Sequence, residues 1–306
     1  MSLWSAVGDP VRLEGGRRAW LLLAVFALSW TLLEGVVGAQ FQHPYHLLQI
    51  VWCRYAVHLL AVWVIWGRRH PAQLWRTQRP VFHVMRSLCM LVMPLGFAMA
   101  LYGGMQMHTV WALFWMAPLL ILVLARLWLR ELVPASAWVA AVLGSASAVL
   151  LLGLHWPAHA FTVLWPLAMA ASFAVYMAMT RQLRSEPVQT NLFHTAAAVF
   201  LLLTPIMPWV WTMPTLHDVA VLIAIGLVGL LGLWVLDRAC EAAPVSATAP
   251  VLYLHLAGMF AIEAWGGSVA LLARQGLSLV LVAIVLVIAW RMSAQGAPNP
   301  TRLERH

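Results

Sequence analysis

Lysine is absent from this chain of 306 residues, and only 10 acidic residues stand against 18 arginines. Charged residues make up 9% of the sequence, where a soluble domain carries about 25%. That shortage excludes a water-soluble enzyme. It also leaves the net charge of +8 too sparse to form a nucleic-acid-binding face, so nucleic acid is not an expected partner. Cys53, Cys89 and Cys240 lie in or beside apolar runs and offer neither a disulfide framework nor a Cys-x-x-Cys metal site. His43/His46 and His155/His159 have metal-like spacing but no third ligand nearby, so no metal is expected. A nucleophile elbow, a phosphate loop and an ATP-binding signature are missing too. No cofactor, no enzymatic activity and no primary active transport by the chain alone are expected.

What the chain does have is apolar length. Hydrophobic residues make up 63%, with 18 tryptophans, and the mean hydropathy is +0.85. A membrane-spanning helix needs about 20 mostly apolar residues. By that rule ten spans are expected, over 19–39, 45–66, 84–102, 108–129, 134–153, 161–180, 190–211, 218–236, 244–264 and 268–290. The fold class is therefore an all-α integral membrane protein, with polar tails at 1–16 and 292–306.

Arginine placement orients these spans. With both termini cytoplasmic, sixteen arginines fall inside and only Arg274 outside, while Arg54 lies within a span. Cytoplasmic loops carry the excess of basic residues in membrane proteins. The expected location is a bacterial inner membrane.

The chain also matches itself at an offset of 132 residues: Pro118, Glu131 and Gly144 recur in spacing as Pro250, Glu263 and Gly276. The repeats are expected to occupy 17–155 and 156–291, five helices each. Five is odd, so the second repeat enters the membrane the opposite way round. Inverted repeats of this kind characterise secondary transporters, with the substrate site near the midplane between them. Arg17-Arg18 ahead of an apolar run imitates a signal peptide, but five-plus-five symmetry requires the first helix to be retained.

The run Trp-Ala-Leu-Phe-Trp-Met-Ala-Pro118 through Leu-Arg-Glu131, followed by Trp138 and Gly144, resembles the EamA repeat of the drug/metabolite transporter superfamily. Arg54-Tyr55 is similar to that family's Arg-aromatic pair. The resemblance covers 17–291 and implies ten helices and export or exchange of small metabolites, amino acids or drugs. The second repeat departs from the pattern: Ala-Trp-Gly-Gly follows Glu263, and its second helix lacks the arginine.

Several polar residues inside the spans are candidates for substrate binding or ion coupling. Intramembrane ionisable groups are costly and face protein or a water-filled cavity. Glu34 in the first span suits a proton-coupling group or a counter-ion for a cationic substrate. The small multidrug members of the superfamily carry a working glutamate in their first helix. Arg54 lies near mid-membrane with His58 one turn along; an ion pair of Arg54 with Glu34 is the structural alternative to anion recognition. Ser172, Tyr176 and Thr180 form one polar stripe, and Asn191, His194 and Thr195 another. Tyr253 and His255 follow Pro250. Trp111, Phe114 and Trp115 could wall a cationic or aromatic substrate. Glu131 and Glu263 are expected to cap helix ends and pair with arginine. Gly226, Gly229 and Gly232 form a groove for close helix contact.

The sequence thus points to a secondary transporter working by alternating access, expected to export small organic metabolites, amino acids or drugs, with membrane lipids around it and protons or another ion as coupling partner. A lipid or lipid-linked carrier flippase is the alternative, ahead of a membrane enzyme or receptor.

Overall fold

The computed structural model describes residues 10–69, 71–157, 159–265 and 273–295. Ten helices are long and apolar enough to cross a membrane: α1 (Gly15–Gln40), α2 (Leu47–Gly67), α3 (Pro80–Tyr102), α4 (Met107–Leu127), α5 (Ala135–Leu152), α6 (Ala160–Gln182), α7 (Val188–Val210), α8 (Leu216–Ala242), α9 (Val245–Ile262) and α10 (Arg274–Ala294). No strand occurs among the described residues. Several ends shift by a few residues from the sequence expectation, and two of these shifts bear on buried charges. Helix α3 starts at Pro80, not 84, because proline is favourable in a first turn. Helix α8 runs on to Ala242, not 236. These shifts bring Asp237 inside α8 and set Arg86, which the expected span places at its very start, well inside α3.

The helices pair across the two sequence halves. Helix α1 lies along α8, α3 along α6, α5 along α10, and α2 along α7. Helix α8 also packs on α2, and α3 on α7. This pattern is unchanged when each helix is exchanged for the one five places along. The fourth helix of each half is also broken at its repeat proline. Helix α4 opens into a turn at Trp115 and Met116, just before Pro118, and α9 tightens into a 3-10 turn over Ala249–Tyr253, which contains Pro250. Proline lacks the N–H that would continue the ladder and clashes with the preceding turn.

Small residues let backbones approach. The ring of Tyr253 lies on Gly144, where a Cβ would be 2.2 Å from the ring. Gly258 of α9 receives Thr31 of α1, at 2.7 Å from such a Cβ. A Cβ at Gly276 would meet no described residue within 4 Å. Glu263 lies in the helix Leu254–Trp265, but its side chain is outside the described residues.

Candidate functional site

Helix α1 does not stay regular. Over Leu32–Val37 it widens into a π-helical turn that contains Glu34. Such turns recur at functional positions because they re-aim side chains within a helix. Trp30, one turn back, donates its indole N–H to Glu34 Oε1. From α9, His255 Nε2 stands 3.7 Å from Glu34 Oε2. On its other side, His255 Nδ1 is 3.0 Å from Thr31 Oγ1. That hydroxyl already donates to the carbonyl of Ala27 at 3.0 Å, so Nδ1–H must be the donor to it. In the neutral ring, Nε2 is then the unprotonated nitrogen facing the carboxylate. Glu34 and His255 can share one added proton.

Aromatic rings surround this pair. Trp30 lies 5.1 Å from the His255 ring and 5.9 Å from Trp115. Trp115 lies 5.3 Å from His255 and 5.9 Å from Tyr253. Phe114 and Phe173 close on Trp30, both at 5.7 Å. The break in α4 turns Trp115 into the cluster and uncovers its carbonyl, which accepts from Ser145 Oγ at 3.1 Å and Tyr253 Oη at 3.2 Å. Tyr253 Oη also donates to the Ala141 carbonyl at 2.9 Å. Tyr253 is thus a buried strut and His255 the reactive neighbour. A carboxylate that accepts from an indole N–H beside a cluster of aromatic rings has the chemistry to hold an organic cation.

Arg54 does not pair with Glu34, and the sequence alternative of an ion pair between them is corrected here. Its guanidinium instead lies on Gly229 of α8, where a Cβ would be 2.5 Å from Nε. Close helix packing has directed the side chain along α8, within electrostatic reach of Glu34. His58 is 1% exposed and packs edge-on to Tyr55 at 4.9 Å.

Two sequence candidates lie elsewhere. Tyr176 sits under Arg86, with the guanidinium 4.9 Å from its ring. His194 stacks on His83 at 4.6 Å and faces the Trp75 carbonyl at 3.3 Å. The two polar stripes therefore meet around Arg86 and not around Glu34. Arg86 donates to Thr180 Oγ1 (2.9 Å), the Asn191 carbonyl (2.9 Å), Thr195 Oγ1 (2.8 Å) and Asp237 Oδ1 (3.2 Å). Glu131 continues this set toward the same Arg-rich end, accepting from Arg181 Nε at 3.3 Å and the Ser246 amide at 3.0 Å. Sequence reading missed Arg86 and Asp237. The available signal was two opposite charges beside polar stripes, masked by their closeness to the ends of apolar runs.

The opposite end has its own tie. Asp218, in the first turn of α8, accepts from the Gln42 amide at 3.0 Å and Tyr45 Oη at 2.6 Å. His43 and His217 approach it at 3.2 and 3.3 Å. Tyr45 lies in the loop outside the spans, and its hydrogen bond to Asp218 raises the phenol above its ordinary range. This contact is thus present at neutral pH and is lost as alkali rises through the folded phenol's value.

No protein-family model matches the chain. It is 26% identical over 243 residues to an S-adenosylmethionine uptake transporter of Rickettsia bellii (strain RML369-C), covering 78% of this chain and 80% of the relative. The protein of the same name from Rickettsia conorii (strain ATCC VR-613 / Malish 7) is 26% identical over 78% of this chain and 79% of its own. Both relatives are small-molecule transporters by name, and they support that coarse role for this chain. The relatives and the ten spans fit a ten-helix transporter of the drug/metabolite type, not an enzyme, integral to a bacterial membrane. The chain's fold is also that of a solved crystal structure, 17% identical, with a TM-score of 0.77 over 89% of this chain and 96% of the other.

Proposed function

We propose that this transporter carries an organic cation with an aromatic part, of the S-adenosylmethionine type, by alternating access between two inverted five-helix halves. The observation that carries the reading is Glu34: an intramembrane carboxylate with no arginine partner among the described residues, on a π-turn, flanked by Trp30 and His255, on which Trp115 packs. A sulfonium or ammonium is attracted to indole faces by about 0.5–2 kcal/mol per ring, and the carboxylate supplies its counter-charge. The relatives' names favour the same substrate class and favour uptake over the export that the sequence resemblance implies. The lipid-carrier alternative rests on fold alone, which hosts many functions.

The exchange symmetry of helix pairing supports two halves related by a pseudo-twofold axis. Both ends of the bundle are tied across these halves: Arg86 to Asp237 and Glu131 to Arg181 at one, Asp218 to the 41–46 loop at the other. Alternating access requires these ties to open in turn. Arginine placement favours the Arg86 end, with both termini, as cytoplasmic. A proton and the organic cation compete for the Glu34–His255 pair, which provides a route to proton coupling.

The reading is tested by counterflow in proteoliposomes. Vesicles loaded with unlabelled S-adenosylmethionine should accumulate labelled compound from outside. Equal label in loaded and empty vesicles would sink it.

A further inference from the structure

The interfaces α2–α8 and α3–α7 exchange under the five-place shift, and each holds one guanidinium. Arg86, at α3–α7, makes four hydrogen bonds through its terminal nitrogens and has Asp237 as counter-ion. Arg54, at α2–α8, makes no hydrogen bond or ion pair with any described residue. Its Nε is buried without a partner, and its guanidinium stands 5.9 Å from the Tyr55 ring. One turn along α2, His58 Nε2 is also buried without a partner. A cation within a membrane span is costly unless paired. Gly229 makes the room this side chain occupies, since any Cβ there would collide with it. The fold therefore builds a cradle for a guanidinium and leaves its donors unanswered, within electrostatic reach of Glu34.

We propose that Arg54 receives the carboxylate of an amino-acid-type substrate whose cationic, aromatic portion lies at Glu34 and the tryptophans. This rests on the function proposed above and adds a second subsite to it. The planar fork of arginine matches a carboxylate with two parallel hydrogen bonds. The substrate so defined is zwitterionic, with an anionic end toward α2–α8 and a cationic end toward α1–α9. Nucleosides or amines lacking a carboxylate leave Arg54 unpaired.

The test is a ligand-by-variant comparison on the purified full chain. Binding of S-adenosylmethionine and of its decarboxylated analogue is measured by titration calorimetry for wild type, Arg54→Gln and Arg54→Lys. Wild type should prefer the carboxylated ligand by about tenfold or more, the scale of a charge-assisted hydrogen bond. Arg54→Gln should bind both alike, with the decarboxylated analogue as tight as in wild type, and Arg54→Lys should keep part of the preference. A preference undiminished in Arg54→Gln, or equal binding of the two ligands by wild type, would overturn the assignment while leaving the transport function intact. Binding of neither ligand by wild type would overturn that function and this assignment with it. If Arg54→Gln fails to fold, Gly229→Ala, which displaces the guanidinium, must abolish the same preference; retained preference there also overturns it.

Discussion

Arg86 and Asp237 meet at 3.2 Å with side chains 0% and 2% exposed, joining α3 to α8 across the two halves of the chain. Removing one member of a buried pair leaves an uncompensated charge and costs about 3–5 kcal/mol. Arg86→Met and Asp237→Leu should each lower the thermal unfolding midpoint in detergent strongly. The double substitution should recover most of the loss. Additive losses in the double variant would show that the two side chains do not act as a pair.

Tyr253 on Gly144 makes a second packing prediction. Gly144→Ala places a methyl inside the tyrosine ring and should destabilise by about 1–3 kcal/mol, the usual range for overpacking. Tyr253→Phe keeps the ring but gives up its bonds to the Ala141 and Trp115 carbonyls, costing roughly 1 kcal/mol. Urea-induced unfolding in mixed micelles compares the two; Gly144→Ala must be the worse.

Asp218 anchors the 41–46 loop through the Gln42 amide and Tyr45. Asp218→Ala should free that loop, raising hydrogen exchange at its amides while leaving α3 and α6 unchanged. Unaltered exchange over 41–46 would mean that the loop is held by other contacts.

Glu34 predicts a pH effect of definite sign. Protonating the carboxylate removes the negative charge a cationic substrate needs, so affinity should fall as the pH is lowered. Glu34→Gln should bind weakly and show little further change with pH. A Gln variant with the wild-type pH profile would place the titrating group elsewhere.

Much of this architecture is legible in the sequence, because lipid demands long apolar runs and arginines mark the breaks between them. The repeat of Pro118 and Pro250 locates the two helix breaks, and Glu34 announces itself as a charge within an apolar run. What the sequence could not reveal is partnership. Glu34 and Arg54 look complementary in depth, yet the close approach of α2 to α8 at Gly229 sends the guanidinium along α8. His255 reaches Glu34 from a distant segment because Gly258 admits Thr31. Arg86 reads as a charge at the edge of its span until helix α3 is seen to begin at Pro80. Tyr176 and His194 look like site residues, but helical geometry aims them at Arg86 and His83.

The central claim is that Glu34 and its aromatic neighbours read a positive charge. S-adenosylmethionine and S-adenosylhomocysteine differ at the sulfur by one methyl and one positive charge, so the ratio of their affinities for purified protein measures that reading directly. Wild type should favour S-adenosylmethionine by about tenfold or more, equivalent to about 1.4 kcal/mol, and Glu34→Gln should bring the two affinities together. Equal affinities in wild type, or a preference that survives in Glu34→Gln, would contradict the account.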